Sequence, residues 1–403
     1  MISNFINTYK RLLQYTKYSH HRYIYSDFNT DNRLTGLIGP RGTGKTTLLL
    51  QYIKERIPNI DECIYASIDN IYFSQNTLLE FVNTLYEDYG VRYFFLDEIH
   101  KYPHWNQELK NLYDSYPDIK IIFSGSSSID LVKGTYDLSR RGVIYRIGGL
   151  SFREYLLFND IADTGTISFQ EIINNRFLFE SKIGEIKKLK GYFKEYLGAG
   201  YYPFVLEGKD SYSQKIQRII DKTIFEDISN HYKLKTENLS NFKRILAYMA
   251  TIPPGELNRN SISRNIGLDN RTVQNYLEIL QETGLITLLS MNIAGSQILK
   301  QTEKMYLDNP DLYSSITNEI GFASHIGTIR EIFFINMVKN SGNNIHVSKI
   351  GDFEIDGNLF EIGGKNKDRK QLKENPENGY IVKDDILYGS KCEIPLHLFG
   401  FLY

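Results

Sequence analysis

Cysteine is almost absent from this chain: only Cys63 and Cys392 occur, far apart and in no metal-ligand spacing. A disulfide scaffold and a cysteine zinc site are thereby excluded, and a reducing cytoplasm is the expected compartment. Net charge is equally scarce, -1 with 24% charged residues, so no overall field attracts nucleic acid or a membrane surface. Any nucleic-acid site must be local. No apolar stretch approaches the roughly 18 residues needed to cross a bilayer, and the N-terminal MISNFINTYKRLLQY lacks the apolar core of a signal peptide. Low-complexity tracts and repeats are missing too. What the chain has instead is aromatic mass, 30 Tyr and 23 Phe, which suits a packed interior and excludes a disordered polymer. Its 403 residues exceed one ordinary core and imply two or three domains.

The stretch Gly39-Pro40-Arg41-Gly42-Thr43-Gly44-Lys45-Thr46 fits the pattern GxxxxGK[ST] at every fixed position. Leu34 to Ile38 form an apolar run before it, and Thr47 to Ile53 read as a helix after it, which is the setting a phosphate-binding loop (Walker A) requires. Glycines at 39, 42 and 44 let the backbone approach an anion without Cβ clashes, so successive N–H groups can point at phosphate oxygens. Lys45 supplies a cation for the β- and γ-phosphates, and the Thr46 hydroxyl suits a Mg²⁺ position. Gly39 to Thr47 are the expected nucleotide-binding set.

Around this loop the pattern alternates strand and helix. Phe5, Ile6, Tyr9, Leu12 and Leu13 lie at helical spacing, predicting a helix that docks beside the first strand. Cys63 to Ile68 predict a second strand and Thr77 to Tyr89 a helix. A third strand, Val91 to Leu96, runs into Asp97 and Glu98, a Walker B-like pair at the C-terminal edge of a parallel sheet, where ligands of open α/β sheets bind. Asp97 is expected to hold Mg²⁺, directly or through water, and Glu98 to polarise the attacking water. Asp118 to Phe123 predict another strand ending in Ser124-Gly125-Ser126-Ser127-Ser128. Hydroxyls there, Ser124 first, either sense the γ-phosphate or cap a helix. Ser139-Arg140-Arg141-Gly142 precede a strand from Val143 to Ile147, and the arginine pair is either a solvated face or a means of reaching a neighbour's phosphate.

The segments GPRGTGKTTLL, YFFLDEIHKYPHW, IIFSGSSS and LSRRGVIYRIGGLSFREYL, in that order, resemble the AAA-type ATPases that carry a C-terminal domain of unknown function, a widespread prokaryotic family. The resemblance implies an α/β architecture: a P-loop AAA-type parallel sheet over residues 1–155 and a helical lid and connector over 156–235. A winged-helix domain over 236–305 and an endonuclease-like α/β domain over 306–403 complete it. It implies ATP and Mg²⁺ as cofactors and a homo-oligomer as a candidate assembly. It also selects Arg141, ten residues before Ser151, as the arginine that acts on nucleotide, with Arg140 standing where the family has glycine and Gly149 where it has proline.

In the lid segment, Leu178, Ile183, Ile186, Leu189, Tyr192 and Phe193 are expected to form one buried stripe, and Tyr196 to Pro203 a structural hinge. Further on, a helix at Ile262 to Ile266, a turn at Gly267 to Asn270, a helix from Arg271 to Thr283 and a strand from Leu285 to Leu289 give a helix-turn-helix with a wing. Gly267 closes its first helix and Asp269 caps its second. The second helix carries one arginine against two glutamates, a poor footprint for phosphates, although Gln274 and Asn275 could touch bases. A packing module linking ATPase to tail is the equal alternative.

The tail predicts an amphipathic helix from Thr328 to Asn340 that includes Glu331, then strands at His346 to Lys349, Phe353 to Asp356 and Leu359 to Ile362. The turn Asp356-Gly357-Asn358 is expected to bring Asp356 and Glu361 to adjacent edges. This resembles the restriction-endonuclease-like fold, in which acids hold Mg²⁺ and a lysine helps to activate water. The resemblance implies a site of Glu331, Asp356, Glu361 and Lys365, the last standing in for a lysine whose usual position is glycine here. Lys365, Lys367, Arg369, Lys370 and Lys373 make a basic cluster that is either a nucleic-acid contact or a solvated face. DNA, through winged helix or tail, is therefore the candidate macromolecular partner. Three functions compete: an ATP hydrolase driving conformational change in a DNA-associated or defence-type process, a nucleotide-dependent switch whose tail binds a partner without catalysis, and a slow ATPase in a small-molecule pathway.

Overall fold

β1 (Leu34–Ile38) has all five of its residues buried and is flanked by a strand on either side, as befits the inside of a parallel sheet covered on both faces. The computed structural model describes every residue except 1, 18, 127–137, 139, 209, 233, 293–303, 369–371 and 373–377. Ser127, Ser128, Ser139, Arg369, Lys370 and Lys373 thus lie outside the described residues. Contacts divide the chain into two units, Met1–Gly148 and Gly149–Tyr403.

The first unit contains α1 (Ile2–Tyr15), β1, α2 (Lys45–Arg56), β2 (Cys63–Ser67), α3 (Leu78–Tyr89), β3 (Tyr93–Asp97), α4 (Trp105–Ser115), β4 (Lys120–Gly125) and β5 (Gly142–Arg146). Its five strands are all parallel, in the order β2-β3-β4-β1-β5. β4 therefore separates the strand that leads into the phosphate loop from the strand that ends in Asp97. Ile38 pairs with Gly125, and Ser67 with Asp97, so the C-terminal ends of these strands share one edge.

Helix α1 is not beside β1. Because β1 is enclosed by β4 and β5, the apolar stripe Phe5, Tyr9 and Leu13 finds its cover at β2 and α2 instead. The Phe5 ring meets Tyr72, Phe73 and Phe81 edge-on at 5.3, 5.8 and 5.0 Å, and the Tyr9 hydroxyl donates to the Ile60 carbonyl at 3.1 Å.

The second unit begins with α5 (Phe152–Phe158), α6 (Phe169–Asn174), α7 (Phe177–Gly184), α8 (Leu189–Gly198) and α9 (Tyr212–Lys222). A π-helical stretch, Thr223–Ile228, runs into α10 (Ser229–Tyr232), followed by α11 (Thr236–Thr251), α12 (Arg259–Ile266) and α13 (Asn270–Glu282). Next come β6 (Ile286–Leu289), β7 (Lys304–Leu307), α14 (Pro310–Glu319) and α15 (Ile326–Asn340). The unit closes with β8 (His346–Val347), β9 (Phe353–Ile355), β10 (Asn358–Gly363), β11 (Gly379–Lys383) and β12 (Glu393–Pro395). α12 ends at Gly267, whose φ of 78° is left-handed, and Asp269 caps α13 by accepting from the N–H groups of Arg271 and Thr272 at 3.0 Å each. β6 and β7 pair antiparallel.

The segment expected as a lid shares its core with the C-terminal segment. The Ser151 hydroxyl donates to the Tyr403 backbone oxygen at 2.7 Å, Phe152 packs on Phe401 at 5.5 Å, and the buried Arg176 donates to the Ser390 and Glu393 carbonyls while pairing with Glu180. Leu178 is not part of a buried stripe: it is 76% exposed. The chain turns between α7 and α8, with Lys188 left-handed at φ 64°, so Leu178 and Phe193 belong to two helices with different phases. The tail sheet, β12-β11-β10-β9-β8, is antiparallel from β8 to β10 and parallel from β10 to β12. α15 covers it through Phe334, which contacts Phe353, Phe360 and Phe399.

His397 is buried in this core against Phe193, and burial pushes its imidazole down from 6.5 to about 3. The unfolded chain takes up a proton near 6.5 that the folded chain refuses until about 3, so stability present above 6.5 is lost as pH falls through this window, by up to about 1.4 kcal/mol per pH unit. Thermal melting of wild type and His397→Leu across that range should show the variant losing less stability with acid, the difference between the two curves isolating this histidine.

Candidate functional site

Backbone geometry builds the loop after β1. Gly42 and Gly44 adopt φ 79° and 90°, conformations that strain any side chain, and a Cβ on Gly39 would lie 2.1 Å from the Ile147 carbonyl oxygen. α2 starts at Lys45 with no side-chain cap, leaving its first-turn N–H groups for an anion. Lys45 is 5% exposed, and its Nζ donates to the Gly39 and Pro40 carbonyls at 2.9 Å each. The loop thus folds around a buried ammonium ion whose natural exchange partners are phosphate oxygens. Pro40, Arg41, Thr43 and Thr47 occupy the same loop and helix start, the Thr43 hydroxyl closing the turn onto the Pro40 carbonyl at 2.8 Å.

Asp97 sits at the centre. It is 2% exposed and accepts on Oδ2 from the Thr46 hydroxyl and the Tyr65 hydroxyl, both at 2.6 Å. On Oδ1 it accepts from the Ser124 hydroxyl and from the Glu98 N–H, the latter at 3.1 Å. Tyr65 is held protonated far above its usual range, first by burial and then by the Asp97 charge. Glu98 follows the strand in a left-handed conformation, φ 55°, a strained state for a residue with a side chain. That turn directs its carboxylate to His100, 3.4 Å away.

Lys45, Thr46, Asp97, Glu98 and Ser124 are therefore brought together at one sheet edge. Arg141 is not among them. Gly142 pairs in parallel with Leu34, so Arg141 lies at the opposite edge of the sheet, where it pairs with Asp114 at 3.2 Å. Sequence reasoning missed Arg22 and Tyr65. Arg22 is 5% exposed and donates to the Thr43 carbonyl and, at 2.9 Å, to the Gly148 carbonyl, bracing the loop from behind; nothing in its surroundings in sequence signals this. Tyr65 was accessible in principle, being two residues before the partner of Asp97 in the β2–β3 register.

The tail constellation differs from expectation. β9 and β10 pair Ile355 with Asn358, Glu354 with Leu359 and Phe353 with Phe360, and continuing that ladder sets Glu361 opposite Asp352. The Asp352 N–H donates to the Phe360 carbonyl at 2.8 Å, and its Oδ2 accepts from the Ile362 N–H at 2.8 Å. Asp356 instead occupies the exposed tip of the hairpin, φ 47°, opposite Gly357 and so about 13 Å along the strand from Glu361 at some 3.3 Å per residue. Lys365 is exposed too, its charge acting on Asp385, whereas Lys367 pairs with the buried Glu361 at 2.7 Å. Glu331 accepts from the Tyr306 hydroxyl at 2.7 Å; burial, then the Asp352 charge, raises its carboxyl above the ordinary value. Burial alone would lower Lys367, but its bond to Glu361 and the charges of Glu361, Asp352 and Glu331 hold it above the ordinary value. Lys367 thus pairs with Glu361 and feels the charges of Asp352 and Glu331. Among the described residues, no group of three or more His, Cys, Asp or Glu is gathered closely enough to hold a metal ion.

A parallel sheet with the phosphate loop after β1, an acidic pair after β3 and a hydroxyl on the intervening β4 defines a P-loop nucleoside-triphosphatase domain. More particularly, residues 31–156 match the family described as "AAA domain", and residues 190–319 match a domain of unknown function, DUF8612. The chain thus carries an AAA-type domain, whose class implies nucleotide binding, joined to that second domain. An uncharacterized protein of Methanocaldococcus jannaschii is 30% identical over 274 residues, covering 64% of this chain and 57% of that protein's length. AMPPCP-bound DnaA from Aquifex aeolicus overlaps 70% of this chain and 91% of its own at 16% identity, with a TM-score of 0.28. C. elegans PCH-2 overlaps 68% of each chain at 16% identity, with a TM-score of 0.25. Among the described residues no helix is long and apolar enough to cross a membrane.

Arg22→Met should leave the Thr43 and Gly148 carbonyls without this donor, lowering stability by about 1–3 kcal/mol and weakening nucleotide binding. Chemical denaturation and fluorescent-nucleotide titration check this; an unchanged affinity would remove Arg22 from the support of the loop.

Proposed function

We propose that this chain binds ATP with Mg²⁺ and hydrolyses it at the shared edge of β1, β3 and β4, using the cycle to change conformation in a DNA-associated or defence-type process. The observation that carries this reading is the assembly on Asp97: the loop hydroxyl of Thr46, the Ser124 hydroxyl and the Glu98 N–H converge on one buried carboxylate. A site oriented in advance of its ligand is what electrostatic catalysis needs. Lys45 would exchange the Gly39 and Pro40 carbonyls for β- and γ-phosphate oxygens, and the N–H groups at the start of α2 would bind the remaining oxygens. Thr46 and Asp97 would hold Mg²⁺, which when bound would offset the charge developing on the transferred phosphoryl group. Glu98 would accept the proton of the attacking water. Ser124, bonded to both Asp97 and the Glu98 N–H, would keep acid and base in register. Arg141, at the far edge, would serve only a neighbouring copy, which makes a homo-oligomer part of the proposal.

Glu98→Gln should keep nucleotide bound while turnover falls roughly 10²–10⁴-fold; unchanged phosphate release would sink the role given to Glu98.

For the second unit, α11 to α13 with the β6–β7 hairpin support a winged helix, and Glu331, Asp352, Glu361 and Lys367 support an endonuclease-like tail acting on DNA. The Lys367–Glu361 ion pair favours the second reading, a nucleotide-dependent switch whose tail binds without cleaving, because it neutralises the buried acid. Incubation with DNA and Mg²⁺ or Mn²⁺, with and without ATP, separates the two. Cleavage lost in Asp352→Ala and Glu361→Ala but retained in Asp356→Ala is the nuclease outcome; no cleavage in any nucleotide state is the switch outcome.

A further inference from the structure

A carboxylate offers about four lone-pair sites, and all four on Asp97 take donors: Ser124 and the Glu98 N–H on Oδ1, Thr46 and Tyr65 on Oδ2. The four are not equally replaceable. The Glu98 donor is backbone, fixed by the end of β3. Ser124 lies on the oxygen turned away from Thr46. Thr46 itself donates its proton to Asp97 and keeps its oxygen lone pairs for a cation, so its bond survives metal binding. Among the described residues, Tyr65 shares Oδ2 with Thr46 but comes from β2 and not from the phosphate-loop motif.

We infer that Tyr65 is a positioning residue that competes with the metal ion for Asp97, its hydroxyl holding the lone pair that the metal's ligand shell requires. The inference rests on the Mg²⁺–ATP reading and adds a control to it. Tyr65 is 6% exposed on β2, next to β3, so the phenol has to turn within a packed layer to release the acid. Metal loading is thereby coupled to a side-chain movement between β2 and β3. A phenylalanine would fill nearly the same volume without touching the acid.

The test measures metal binding rather than turnover. Wild type and Tyr65→Phe are saturated with a non-hydrolysable ATP analogue, Mn²⁺ binding is followed by electron paramagnetic resonance, and Mg²⁺ binding by calorimetry. Losing a charge-assisted hydrogen bond that must break should tighten metal binding about tenfold in Tyr65→Phe, with nucleotide affinity in EDTA unchanged. Equal or weaker metal affinity in the variant overturns the inference while leaving the ATP reading intact. Failure of the wild type to bind the metal–nucleotide pair at all overturns both. Should Tyr65→Phe lose nucleotide binding in EDTA, which marks a folding defect, Tyr65→Met removes the same hydroxyl with a more adaptable side chain, and the same two results decide.

Discussion

A carboxylate 2% exposed to solvent must be supplied with hydrogen-bond donors, and the design of the nucleotide unit follows from how Asp97 is supplied. No single segment could do it. One donor comes from the first turn of α2, one from β2, one from β4 and one from the backbone just past β3 itself. The strand order β2-β3-β4-β1 is the one that sets donors on both sides of the acid. The desolvation cost of the charge is met by bonds that double as the site's alignment. Removing any one donor would leave part of that cost unmet.

The second unit meets the same problem with different chemistry. Arg176 and Glu180 are each about as buried as Asp97, and they neutralise each other while the guanidinium ties down the carbonyls of the 390–393 segment. Asp311 accepts from the Gly200 and Tyr201 N–H groups and the Tyr212 hydroxyl; burial raises its carboxyl to about 6. These charges connect segments far apart in sequence: Arg176 joins the expected lid to the C-terminal segment, and Asp311 joins it to α14.

The phosphate loop, the acidic pair and the strand–helix alternation were legible because each rests on local chemistry: glycines where φ is positive, a capping residue before a helix, an apolar run ending in acids. The helices α12 and α13 were legible for the same reason, through Gly267 and Asp269. What failed was non-local. Leu178 was assigned to a stripe that crosses a turn. Asp356 was paired with Glu361, although a hairpin whose two-residue turn is Asp356-Gly357 pairs 355 with 358 and so 352 with 361; the turn residues contained the register, and Asp352 followed from it. Lys367 was beyond this reasoning, since the chain after β10 folds back to bring it to Glu361. Arg141 was assigned correctly to the start of a strand, but its distance from the loop depends on the direction in which that strand lies beside β1.

The Arg22 guanidinium holds the Thr43 carbonyl with one nitrogen and the Gly148 carbonyl with another, and the neighbouring Tyr23 hydroxyl accepts from the Gly148 N–H and donates to the Arg146 carbonyl. Gly148 is the last residue of the nucleotide unit. The loop that would wrap the phosphates and the point where the chain leaves that unit are thus fastened to the same planar cation, a rigid strut and not a flexible tether. A shift of the loop at Thr43 is therefore delivered to the exit of the unit as displacement, with little slack to absorb it.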